Sequence, residues 1–274
     1  FMEEYRLDVY LHQNNLTESR ERAKQLIIKN SVYVNDKLAT KPSFKVSSSD
    51  KIEVRNNFEY VGRGASKIER AVEYFHIVVE NKVAVDIGAS TGGFTDYMIK
   101  NSARKVYAID VGHDQLHDTL KNDERVINLE GTNFRYMDTG IFEEYVDIIT
   151  IDVSFISLKL ILPNVAKISN ETIDIIALIK PQYEAGRHNI GKNGIIKDKK
   201  IHLEVLSNIQ MYCCQNNMFI KDITFSPIKG GDGNIEYLAY IKKNKQKIYS
   251  TKTETQFKDL VTQAFEYYKN ISMR

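Results

Sequence analysis

Only two cysteines occur in 274 residues, and they are adjacent, Cys213 and Cys214. That excludes a disulfide framework and a four-thiolate zinc site, and it points to a reducing compartment such as the cytoplasm. No run approaches the ~18 apolar residues of a membrane span. No signal-type apolar segment opens the chain, and Phe1, standing ahead of Met2, reads as an added residue. Neither sign of charge is in excess: 38 Lys/Arg stand against 36 Asp/Glu, a formal net charge of +2. The balance alone therefore does not announce a nucleic-acid binder, and any basic surface is a local patch. Internal repeats and low-complexity tracts are lacking too. What the chain has is length and apolar residues, 42% of the total. That is enough for about two domains at ~100–200 residues each, with a core that needs no disulfide or metal.

Composition changes character at Arg55–Gly64, where Gly62 and Gly64 loosen the backbone. The organisation expected is a small unit over residues 2–56, a linker over 57–66 and a larger unit over 67–274. In the small unit, Leu7, Tyr10 and Leu11 sit at helical spacing. A second helix from Glu18 to Lys29, with Thr17 as N-cap, turns Ala23, Leu26 and Ile27 to one face. Val32-Tyr33-Val34 reads as a strand, Asn35-Asp36 as a turn and Ile52-Glu53-Val54 as a closing strand. In the larger unit, apolar strands (83–87, 106–109, 126–129, 146–151, 173–179) alternate with helical stretches (94–99, 113–120, 157–168). That alternation predicts an α/β fold with a mostly parallel sheet. A long helix over 199–215, strands over 219–225 and 235–241, and an amphipathic helix over 255–268 complete the chain.

The most informative segment is Asp86-Ile87-Gly88-Ala89-Ser90-Thr91-Gly92-Gly93-Phe94, a turn between a strand and a helix. Glycines admit a ligand close to the backbone, and helix-start amides supply donors. Asp110 ends the next strand, where an acid can grip ribose hydroxyls. The spacing differs from the dinucleotide fingerprint that cradles a pyrophosphate. It suits S-adenosylmethionine, which has ribose and adenine but no phosphate, and whose cationic amino and sulfonium groups an acid such as Asp86 can orient. A nicotinamide cofactor and a purely structural turn are the competing readings. Gly88–Gly92 also matches a hydrolase nucleophile elbow, with Asp152 and His188 or His202 in chain order. An elbow, however, usually follows several strands of its sheet, and this one follows the first.

At these residues the chain resembles a class I, FtsJ-like methyltransferase joined to an S4 RNA-binding domain. The combination resembles the TlyA family of ribosomal RNA cytidine 2′-O-methyltransferases, some members of which carry the label hemolysin. The S4 resemblance lies in Arg6-Leu7-Asp8, Ser19-Arg20-Glu21-Arg22-Ala23 and Val32-Tyr33-Val34-Asn35. The enzyme resemblance lies in Gly62–Lys67, Gly88–Asp96, Asp152-Val153-Ser154-Phe155-Ile156, Lys180-Pro181-Gln182-Tyr183-Glu184 and Gly233–Tyr237. It implies a Rossmann-like sheet of seven strands, S-adenosylmethionine as cofactor, 16S or 23S rRNA (or both) as substrate, and a catalytic tetrad at Lys67, Asp152, Lys180 and Glu236. An adenine contact near Asn133 and Phe134 is implied by the same analogy.

The chemistry asks for such groups. A ribose hydroxyl is a poor nucleophile at neutral pH, so attack on a sulfonium methyl needs positioning and the removal of one proton. Lys180 and Asp152 each follow a strand and emerge at the carboxyl edge, where open α/β sheets bind ligands. Lys180 is assigned to orient or deprotonate the hydroxyl, with Asp152 near the methyl and Lys67 and Glu236 tuning Lys180 and holding the nucleotide. Taken singly, Lys67 also reads as a solvated helix residue, Lys180 as a strand exit, Asp152 as a loop or cap acid and Glu236 as an exposed strand residue.

For RNA, residues 1–65 hold eleven Lys/Arg against nine Asp/Glu, so contact rests on local clusters: Arg6, then Arg20 and Lys24 one turn apart, then Arg63, Lys67 and Arg70. The run Lys192, Lys197, Lys199 and Lys200 reads equally as solvated surface. Such patches grip phosphate with little sequence information. His113 and His117 read as surface histidines, and Cys213-Cys214 as packing. Tyr237, Tyr240 and Phe94 read as core or rim rather than base-stacking groups. No obligate protein partner is evident. The classes in competition are an rRNA methyltransferase, an RNA-binding module with a silent cofactor fold, and a membrane-lytic protein, for which the acids and amides of the last helix make a poor insertion face.

Overall fold

The computed structural model describes residues 4–17, 19–28, 31–54, 60–191, 194–244 and 251–271. The chain divides into two units, Phe1–Glu59 and Tyr60–Arg274.

The first unit runs β1 (Tyr5–Arg6), α1 (Leu7–Gln13), α2 (Arg20–Ile28), β2 (Val32–Val34), β3 (Lys37–Leu38), β4 (Lys45–Val46) and β5 (Ile52–Val54). β2 pairs antiparallel with both β3 and β5, and β1 pairs with β4. Asn35 and Asp36 both take positive φ (50° and 62°), the backbone that a two-residue hairpin needs to match strand twist. The helices bury Leu7, Leu11, Ala23, Leu26 and Ile27 against Val32, Val34 and Val46. The cap of α2 is Ser19, whose Oγ accepts from Arg22 N at 3.1 Å, rather than the expected Thr17, which donates to the Ser19 carbonyl. Glu18 and Lys29, the expected helix ends, lie outside the described residues, as do Arg55 and Asn56 at the end of the expected small unit, Asn57–Glu59 of the expected linker and Lys192 of the basic run.

The second unit runs α3 (Ala65–Phe75), β6 (Val83–Ile87), α4 (Gly93–Lys100), β7 (Lys105–Ile109), α5 (Asp118–Lys121), β8 (Val126–Leu129), β9 (Ile148–Ile151), α6 (Leu162–Ala166), β10 (Asp174–Ile179), α7 (Pro181–Glu184), α8 (Lys199–Gln215), β11 (Met218–Phe225), β12 (Tyr237–Lys243) and α9 (Glu254–Ile271). Its seven strands stand in the order β11-β12-β10-β9-β6-β7-β8. All pairs from β10 to β8 are parallel, and β12 runs against both neighbours. Every residue of β6 and β9 is buried, as expected of parallel strands covered on both faces. One face carries Val85, Ile149 and Ile175 toward α6, α8 and α9; the other carries Ala84 and Ile176 toward α3 and α4. Each fully buried Val or Ile contributes about 1.5–3 kcal/mol.

Two expected helices are shorter than the pattern suggested. In place of 113–120 there is an irregular loop and then α5, because the Glu130 carboxylate accepts the Gln115 and Leu116 amides at 2.9 Å and Asp114 takes φ 52°. In place of 157–168 there is a 3₁₀ turn at Leu158–Leu160 and then α6, since Pro163 lacks the N–H that a continuous helix would need there.

This topology fixes where a ligand belongs. β6 lies between β7 and β9, and the chain leaves it in opposite directions on its two sides. The crevice at the carboxyl ends of these strands is the switch point of an open α/β sheet. Register then aligns the edge: Ile87 pairs level with Ile109 and Ile151, and Ile179 pairs with Tyr237. Lys180 and Glu236, each one residue beyond that last pair, are therefore neighbours.

Candidate active site

The loop after β6 closes over the crevice by backbone means. Gly88 (φ 83°), Ser90 (φ 50°) and Gly92 (φ 100°) all lie in the left-handed region. A methyl at Gly88 would fall on the Asp152 carbonyl oxygen, and one at Gly92 on Leu120 and Leu116. Only glycine relieves both constraints at once. Asp110 pins the loop, its Oδ2 accepting from Ser90 N and its Oδ1 from Gly112 N, both at 2.8 Å. From the stretch read as linker, Gly62 and Gly64 approach Thr91, Gly93 and Phe94, and Val61 N donates to Asp96 Oδ2 at 2.9 Å. The result is a cavity of about 280 Å³, walled by Gly88–Thr91, Gly93 and Phe94 on one side and by Lys67, Asp152 and Lys180 on the other.

The four expected catalytic residues meet here as two ion pairs. Lys67, delivered by α3, places Nζ 2.6 Å from Glu236 Oε2, with the two side chains only 10% and 2% exposed. Lys180 places Nζ 2.5 Å from Asp152 Oδ1. Its aligned hydrogen bond goes instead to Ser154 Oγ at 2.9 Å, so Asp152 Oδ1 is met by charge without an aligned donor. The pairs share one field. Burial pushes Glu236 above the usual carboxylate range, Lys67 and Lys180 act to lower it, and Asp152 acts to raise it. A buried ion pair gains little net stability, so the arrangement is a sign of function rather than of structural need.

The rim holds groups that sequence reasoning did not single out. Phe155 is 88% exposed and adopts φ 64°, an uncommon backbone for a bulky residue. Its ring lies 5.0 Å from that of Tyr183. Ser154 holds Lys180, and Lys229 lines the mouth together with Arg63. The aromatic in Asp152-Val153-Ser154-Phe155 was the available signal; its left-handed backbone was not readable.

Other expected residues fall elsewhere. Asp86 is fully buried beneath the loop, its oxygens accepting from Thr95 Oγ1 (2.7 Å) and Thr150 Oγ1 (2.8 Å), and burial raises its pKa to about 6. Gly92, Asp110, Asn133, Phe134 and Glu236 do not wall the cavity. Asn133 caps a 3₁₀ turn through Arg135 N, and Phe134 is packed into the core. Arg70 stacks on Tyr74 at 5.0 Å. In the first unit, Arg6 and Arg20 both bind the buried Asp8, and Lys24 pairs with Glu21 at 2.6 Å. His202 is not available to a hydrolase triad, being buried with its ring nitrogens on the Tyr237 hydroxyl and the Ile196 carbonyl. His117 caps α5, and Cys213 is buried.

Comparison with known proteins agrees with this layout. A family model described as FtsJ-like methyltransferase matches residues 60–243, and one described as S4 domain matches residues 6–52. Hemolysin A of Brachyspira hyodysenteriae is 44% identical over 86% of this chain and 98% of its own length. The 16S/23S rRNA (cytidine-2′-O)-methyltransferase TlyA of Mycobacterium tuberculosis is 34% identical over 90% of this chain and 93% of its own. A solved structure titled "Putative hemolysin from Streptococcus thermophilus" superposes with a TM-score of 0.75 at 40% identity, covering 100% of both chains.

Proposed function

The chain belongs to the TlyA family of FtsJ-like methyltransferases with an S4 domain, and from that premise we infer that it methylates the ribose 2′-OH of a cytidine in ribosomal RNA, with S-adenosylmethionine as donor. The observation that carries this reading is the pair of lysine–carboxylate contacts facing a glycine loop across one small cavity.

The residues present fit that donor. The Gly88–Gly93 backbone forms a cradle, packed at Gly88 so closely on the Asp152 carbonyl that no side chain fits there. Asp110 lies beside it, and each of its oxygens keeps a lone pair for a ribose hydroxyl after taking one amide. Asp86 acts from below, holding β6 and α4 together, because no surface of it reaches the cavity. When bound, S-adenosylmethionine supplies an electrophilic methyl group. The chain supplies position. Lys180, fixed between Asp152 and Ser154, orients the attacking oxygen, and the Lys180–Asp152 pair would take the hydroxyl proton as the methyl passed to that oxygen and its C–S bond broke to leave a neutral thioether. Lys67 lines the same wall as Lys180, held by Glu236 from outside the cavity, and the Glu236 charge also acts on Lys180. Fixing the reactants accounts for up to about 7–11 kcal/mol of such a barrier, and proton transfer adds about 10²–10⁴-fold. The exposed Phe155 offers a face on which a base out of its stack can lie, and Arg63 and Lys229 face the flanking phosphates. The S4 unit docks on folded rRNA, a substrate that implies a cytoplasmic protein.

The test uses unmodified ribosomal subunits, labelled cofactor and mapping of the methylated nucleotide. Lys180→Ala is expected to lower transfer by at least ~100-fold, at the low end for lost proton transfer, with cofactor affinity preserved. Normal transfer, or loss of transfer and cofactor binding together, would overturn the assignment. The hemolysin names of relatives do not lead to a membrane reading here. Among the described residues no helix is long and apolar enough to cross a membrane, and the apolar stripe of α9 (Phe257, Leu260, Val261, Ala264, Tyr268) is already buried in the second unit's own core.

A further inference from the structure

The Asp152–Leu158 loop carries an active-site acid, the serine that holds Lys180, and the exposed ring of Phe155. A segment holding a bulky residue at φ 64° needs outside support to stay in place. That support comes from Glu184, four residues beyond Lys180. Its Oε2 accepts from Ser157 Oγ at 2.5 Å and its Oε1 from Leu158 N at 2.8 Å. The two strand exits, after β9 and after β10, are thus joined at three levels: Lys180 with Asp152 and Ser154, Tyr183 with Phe155, and Glu184 with Ser157 and Leu158. Glu184 does not line the cavity. We propose that Glu184 is a positioning residue that locks the Phe155 loop against the Lys180 segment, so that the ring and Asp152 are preset for the incoming nucleotide. The proposal rests on the reading of the site as a ribose methyltransferase.

Glu184→Ala removes both acceptors and frees the loop. Glu184→Gln keeps one acceptor for Leu158 N, and its amide can donate to Ser157 Oγ. Displacement of about 1 Å at a reacting group costs up to ~100-fold. The expected result for E184A is therefore a roughly 10- to 100-fold loss in kcat/KM for RNA, with cofactor Kd unchanged and most of the activity restored in E184Q. The chain has no tryptophan, so Phe155→Trp gives a fluorescent probe at that position alone. Its anisotropy should fall when E184A is added to it, before any RNA is present. Unchanged kinetics in E184A, equal anisotropy with and without it, or loss of cofactor binding alongside activity would each overturn the proposal. If E184A does not fold, Ser157→Ala removes one tether and carries the same expectation. The two readings fail separately: a wild-type protein that methylates no RNA defeats the function, while the anisotropy of the F155W probe still decides the role of Glu184.

Discussion

Asp86 is a carboxylate closed off from water, with two threonine hydroxyls as its polar company. Burial dominates those two bonds and carries its pKa from 3.8 to about 6. A raised carboxylate favours the protonated fold. The stability it contributes is present in full below the unfolded value of 3.8 and is lost as pH rises through about 6. Ionising it in place costs up to about 3 kcal/mol, since each tenfold change in its acidity is worth about 1.36 kcal/mol. Asp86→Asn removes the titration and keeps a group that can bond both hydroxyls. Urea unfolding at several pH values between 4 and 7 should therefore show a wild type whose stability relative to D86N declines as pH rises. A constant difference across that range would mean that Asp86 does not titrate in the fold. The same residue shows a limit of reading a sequence. Its place before a glycine loop marks it as a cofactor acid, but whether it faces the cavity depends on Thr95 and Thr150, which come from two other elements.

At the scale of elements, the β6–α4 turn makes the site, and Gly88 decides its shape. Alanine there has to hold φ 83° and place its methyl on the Asp152 carbonyl at the end of β9. The left-handed backbone alone costs about 1–2 kcal/mol, and the clash is with main chain, which cannot rotate away. Gly88→Ala should lower the melting temperature and weaken cofactor affinity at least ~10-fold, the equivalent of 1.4 kcal/mol, as read by calorimetric titration. Retained affinity would show that the loop approaches the cofactor less closely than proposed. Most elements were legible because buried parallel strands announce themselves as apolar runs such as Ile175–Ile179. The stretch at 113–120 was not, because its amides are taken by Glu130, a residue of another segment. The resemblance brought Lys67, Asp152, Lys180 and Glu236 together as a set. It did not say which lysine meets which acid: Lys67 and Glu236 are 169 residues apart, and they meet because α3 packs against β12, just ahead of which Glu236 stands.

At the scale of the whole molecule, the proposed function gives the chemistry to the second unit and the docking on folded rRNA to the first. Both cores of the second unit are built from residues beyond 59, and the cavity is lined within that unit alone. The first unit contributes a fixed pair of guanidinium groups. Burial acts to raise the Asp8 carboxyl, but the bonds from Arg6 and Arg20 prevail and hold it below the usual range. In return Asp8 aims both arginines, which stay 42% and 49% exposed. Each phosphate neutralised on a single strand steepens the dependence of log affinity on log salt by about 0.7. Removing residues 1–59 takes away Arg6, Arg20 and Lys24, and so should flatten that slope by about two units. RNA affinity at low salt should fall strongly, while cofactor affinity stays as it was. Filter binding of rRNA over a salt series, with cofactor titration in parallel, measures all three quantities. An unchanged slope would move the RNA contact onto the second unit, to Arg63, Arg70 and Lys229.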